Sequence, residues 1–85
     1  MYRFYSRPDR PNRVSVVGQY DSGQLKIAVS RCSGKDAFVR KRGRAIAESR
    51  LIKGMLYRKI NLPMCDIKTF VEVAKGIAQE VENRL

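Results

Sequence analysis

Residues 14–31 read VSVVGQYDSGQLKIAVSR, two apolar runs on either side of Asp21, Ser22 and Gly23. In the second run Leu25, Ile27 and Val29 share one face while Lys26, Ala28 and Ser30 share the other, the period of two expected of a half-buried strand. Asp, Ser and Gly supply turn chemistry, with Gly23 the natural residue at positive φ, so the stretch predicts a β-hairpin. The first run is less regular. Val14 and Val16 alternate, then Val17 and Gly18 disturb the pattern, and Gly18 is expected to mark a bulge.

Working outward, the C-terminal segment has the best helical period in the chain. Ile67, Phe70, Val71, Ala74, Ile77, Ala78, Val81 and Leu85 fall on one stripe, with Asp66 placed to cap the helix start. A helix over residues 66–84 is expected to lie across the hairpin and supply much of the core. A second helix is expected over residues 34–54. Ser33 and Asp36 have capping-box spacing, and Gly54 suits the left-handed residue that ends a helix. With Phe38 as reference, Ala45, Ser49, Ile52 and Leu56 fall near one line, flanked by Val39 and Ile46, and this stripe is expected to face the core. The opposite side carries Arg40, Gly43, Arg44, Ala47 and Arg50. Gly43 costs about 1 kcal/mol relative to Ala in mid-helix; close approach of a neighbour is one reason for it, simple tolerance the other.

Two further strands are short. Around residues 2–6, Phe4 is expected to point inward and Arg3 and Tyr5 outward. Around residues 56–61, the alternation of Leu56, Arg58, Ile60 and Leu62 suits a strand, although the preceding helix running on to Tyr57 is the alternative. Pro63 ends either version. The expected architecture is α+β: a small antiparallel sheet with two helices packed on one face, residues 1–85 forming a single small basic domain. Residues 1–13 form a basic arm or an edge strand, broken by Pro8 and Pro11.

Lysine plus arginine number 18 and aspartate plus glutamate 8, a net charge of +10. The excess is uneven: residues 1–65 hold 15 bases and 4 acids, whereas residues 66–85 hold 3 bases and 4 acids. Such an imbalance draws polyanions, nucleic acid first and acidic protein surfaces second. Two cysteines do not make a disulfide framework, no signal peptide is visible past Arg3, Arg7 and Arg10, and no apolar run approaches a membrane span. A cytoplasmic protein with free thiols is the expectation.

The sequence offers little chemistry. Without histidine there is no Ser–His or Cys–His nucleophile and no histidine metal site. Ser33-Gly34-Lys35 falls short of a phosphate-binding loop, because Val29 stands where the first glycine belongs. Cys32 lacks the arginine six positions on that a phosphatase-type thiolate requires; Phe38 is there. No catalytic residue, metal or cofactor is expected. Zinc-finger spacing, a GxxG loop and the aromatic submotifs of an RNA-recognition module are all missing.

The expected function is therefore binding of DNA or RNA through phosphates, by Arg40, Arg44 and Arg50 with help from Lys41 and Lys53, from Arg31 and Lys35 at the helix start, and from Arg3, Arg7 and Arg10 of the arm. Tyr2, Phe4 and Tyr5 offer rings for single-strand stacking, or serve the core. The rival expectation is a small regulator or inhibitor of phage or mobile-element type, docking its basic face on an acidic protein surface.

Overall fold

The structure, a computed structural model, describes residues 1–6, 13–32 and 40–83. Its elements run β1 (Tyr2–Tyr5), β2 (Arg13–Asp21), β3 (Gln24–Cys32), α1 (Arg40–Ile52), β4 (Arg58–Asn61) and α2 (Ile67–Asn83). The four strands form one antiparallel sheet in the order β1-β2-β3-β4. The α+β class and both short strands are thus as expected. Ser33 and its capping box, Gly34, Lys35, Arg7 and Arg10 lie outside the described residues.

The hairpin closes through a two-residue turn. Ser22 and Gly23 both have positive φ, 52° and 77°, the primed geometry whose twist matches that of the strands. Pairing is continuous from Arg13↔Cys32 to Asp21↔Gln24, with Gly18 opposite Ile27, so there is no bulge at Gly18. The glycine has a packing reason instead: a Cβ there would lie 2.5 Å from the Phe70 ring.

Sequence parity then divides the molecule. Val14 and Val16 of β2 and Leu25 and Ile27 of β3 face α2, where Phe70, Ala74, Ile77, Ala78 and Val81 complete the main core. Val17 and Ala28, of the other parity, form a second, smaller cluster with Ala47 and Leu51 of α1. The helices therefore cover opposite faces of the sheet, not one face. The reason lies in β2, where Val14, Ser15, Val16 and Val17 are all buried. What reads as a broken alternation is a strand buried on both sides.

Helix ends follow their signals. The Asp66 carboxylate accepts from the Thr69 N–H at 2.8 Å, and the Phe70 N–H donates to the Asp66 carbonyl, so Asp66 is the N-cap of α2. Hydrogen bonds from Thr69, first its N–H and then its side chain, hold the Asp66 carboxyl below the usual aspartate range. At the other helix, Gly54 (φ 78°) donates to the Leu51 carbonyl and Met55 to the Arg50 carbonyl. That pair of bonds closes the last turn of α1 and prevents its continuation to Tyr57.

Candidate nucleic-acid interface

The basic helix sits the other way round from its apolar periodicity. Gly43, Ala47 and Leu51 face the sheet, while Ile46 is 41% and Ile52 79% exposed. Close approach decides the orientation. Under the first half of α1 the sheet presents Ser15 and Ser30, and a Cβ on Gly43 would stand 2.6 Å from Ser15 Oγ. The Ser30 hydroxyl donates to the Gly43 backbone carbonyl at 2.7 Å, a contact that the close approach allows. The small residues on the arginine side thus admit the protein's own sheet, not a phosphate backbone.

That orientation commits several of the expected contact residues. Arg3, on the α1 side of β1, donates from Nε to Glu48 Oε1 at 2.7 Å, and Arg44 Nε lies 4.0 Å from the same oxygen. Arg50 donates from Nη1 to the Val29 carbonyl at 2.7 Å. β4 pairs with β3 only from Gln24 to Ile27, so Arg50 caps a carbonyl on the edge that β4 leaves open. Arg31 belongs to the parity of Val29 and Ile27 and so stands on the α2 face, away from Arg3 and Arg44. Lys53 is exposed in the turn after α1. Arg40 and Lys41 open α1. Arg3 and Arg44 are brought together; Arg31 is not.

The aromatic residues are mostly structural. Tyr2 stacks on Phe70, ring centroids 5.2 Å apart, and its hydroxyl donates to the Cys65 carbonyl. Phe4 packs on the main core. The Tyr20 hydroxyl donates to the Leu62 carbonyl, and the Tyr57 hydroxyl to Glu80, which also receives Arg58 at 2.7 Å. Of the arm's three rings, only Tyr5 lies on the α1 side.

Two cations that the sequence did not bring forward stand clear of this network. Lys26 and Lys59 are direct cross-strand partners in the β3–β4 register, and both are exposed. Lys26 is legible on the polar face of its strand; its pairing with a residue 33 positions later is not. Cys65 is partly exposed, and burial, then the nearby Asp66 charge, raises its thiol pKa, which leaves it a poor nucleophile at neutral pH. No helix among the described residues is long and apolar enough to cross a membrane. No family model matches this chain, and neither does a curated protein or a solved structure.

Proposed function

We propose that the protein binds nucleic acid through its phosphates, with weak sequence preference. The observation that carries this reading is uncompensated charge. Residues 1–65 hold 15 bases against 4 acids. Among the described residues, Glu48 and Glu80 engage Arg3, Arg44 and Arg58, whereas Lys26, Arg31, Lys53 and Lys59 are exposed with no carboxylate at ion-pair distance. An excess of that kind recruits a polyanion and releases its counterions, so affinity falls linearly with salt on a log–log scale.

Fluorescence anisotropy on random duplex DNA, single-stranded DNA and RNA across a salt series tests it. Micromolar binding with a steep salt slope is expected, and Arg40→Ala with Arg44→Ala should weaken it. A chain that shows no salt-dependent binding to any of the three sinks the reading.

One observation favours a second reading, docking on an acidic protein surface. Ile46 and Ile52 are exposed on the outer face of α1, with Lys53 just beyond its end. Apolar anchors beside a cation suit a partner with a carboxylate next to an apolar patch. Under that reading Ile52→Gln, which removes the apolar anchor without changing the charge, abolishes complex formation and leaves nucleic-acid binding unchanged.

A further inference from the structure

The β3–β4 corner of the sheet carries a polar platform that α1 leaves uncovered. Gln19, Lys26 and Lys59 form one row across β2, β3 and β4, because Gln19 pairs with Lys26 and Lys26 with Lys59. They have the parity of Val17 and Ala28, so they lie on the face that α1 covers further back. The buried contacts of α1 stop at the Val17–Ala28 row, and all three residues of the next row are exposed. Beyond them the row of Asp21, Gln24 and Asn61 closes the sheet, where the Gln24 amide donates to Asn61 Oδ1.

This arrangement works against the isolated fold. Residues directly opposite on neighbouring strands have Cβ atoms about 5 Å apart, and like charges there are destabilising. Among the described residues no carboxylate lies within ion-pair distance of either ammonium. Asp21, an acid on the same corner, accepts from the Ser22 hydroxyl at 3.3 Å. An anion held between Lys26 and Lys59 turns the repulsion into two attractions, and the Gln19 amide beside them adds a neutral donor for phosphate oxygens.

We propose that this corner is a phosphate-contact site and that its preferred ligand is the backbone of a nucleic-acid duplex. The proposal rests on the nucleic-acid reading above and deepens it. Duplex is favoured over single strand because the platform row is Gln–Lys–Lys, without a ring on which an unstacked base could lie. Tyr2, Tyr20 and Tyr57 instead direct their hydroxyls to partners within the fold.

The test uses the full chain with Lys26→Gln and Lys59→Gln together, on a random-sequence DNA duplex, a matched single strand and inorganic polyphosphate. The slope of log K against log salt on duplex should become shallower by about 2, close to one phosphate per lysine. The melting temperature should stay level or rise, since a repulsive pair is removed; should it fall, each single variant still reports its own loss of about 1 in slope. If the wild-type chain binds duplex and the double variant keeps the wild-type slope, the site is overturned and the nucleic-acid reading stands. Equal or tighter binding to single strand or polyphosphate overturns the duplex preference. A wild-type chain that binds none of the three overturns the reading and the site together.

Discussion

Gly18 lies beneath the ring of Phe70, and a Cβ at position 18 would be 2.5 Å from Phe70 Cε1 and 3.3 Å from a Leu25 methyl. Among the described residues Phe70 is the largest fully buried side chain, and it is stacked on Tyr2, so a shift of its ring disturbs the packed core around it. Gly18→Ala should therefore destabilise the fold by about 1–3 kcal/mol, the usual range for overpacking. Urea unfolding would show a lower midpoint with an unchanged slope. Adding Phe70→Leu to that variant should cost less than Phe70→Leu costs alone; strict additivity would show that the two positions do not share the space described.

On the opposite face the close approach is polar. Ser15 Oγ is buried without a hydrogen-bond partner among the described residues and would lie 2.6 Å from a Gly43 Cβ. An unsatisfied buried hydroxyl costs roughly 1–3 kcal/mol, so Ser15→Ala should raise stability by about 1 kcal/mol. Gly43→Ala alone sets a helix-propensity gain of about 1 kcal/mol against the clash and should come out neutral or destabilising. In the Ser15→Ala background the clash is gone and the same change should stabilise. A double-mutant cycle reads this coupling directly. A coupling energy indistinguishable from zero would refute the proposed contact.

What could be read beforehand divides along physical lines. The hairpin, its turn and α2 were legible because period, turn residue and cap agree at Leu25–Val29, Gly23 and Asp66. The orientation of α1 was not. Its longest apolar stripe, through Ala45 and Ile52, carries more hydrocarbon than Gly43 and Ala47, and periodicity weighs hydrocarbon only. The sheet beneath selects for small side chains, which bring the helix backbone close enough for Ser30 to reach the Gly43 carbonyl. The break in alternation at Val17 and Gly18 suggests a bulge for a related reason: a strand covered on both faces loses its alternation, which looks like a defect until the second helix is placed. For the candidate site, the charge excess was legible, but the cross-strand partner of Lys26 depends on a register that no local pattern encodes.

Acid should report on the start of α2. The Thr69 hydrogen bonds hold the folded Asp66 carboxyl below its unfolded value. The sign follows from linkage: a depressed carboxyl contributes stability that is full above the unfolded pKa and disappears as pH falls through the lower, folded one. Asn caps as well as Asp but does not titrate. Between about pH 5 and pH 2, wild type should therefore lose more melting temperature than Asp66→Asn, with near equality at neutral pH. Parallel curves for the two proteins would exclude the cap as a source of acid sensitivity.

Glu48 is the acid that holds Arg3 and approaches Arg44, and it makes the most direct link between stability and binding. The Arg3 and Glu48 side chains are 44% and 26% exposed, so water and salt screen the pair, and its contribution to folding is about 0.2–1 kcal/mol. Glu48→Gln should lower the melting temperature slightly. It should also release a guanidinium from Arg3, lessen the hold on Arg44 and raise the net charge by one. On the nucleic-acid reading, duplex affinity at low salt then rises severalfold, and the salt slope steepens by about 1 for each arginine that reaches a phosphate. Arg3→Gln with Arg44→Gln should move both quantities the opposite way. At high salt the three proteins should converge, because the differences between them are electrostatic. Duplex binding that is present in wild type but untouched by Glu48→Gln would place Arg3 and Arg44 outside the contact surface and leave the Lys26–Lys59 corner to account for it.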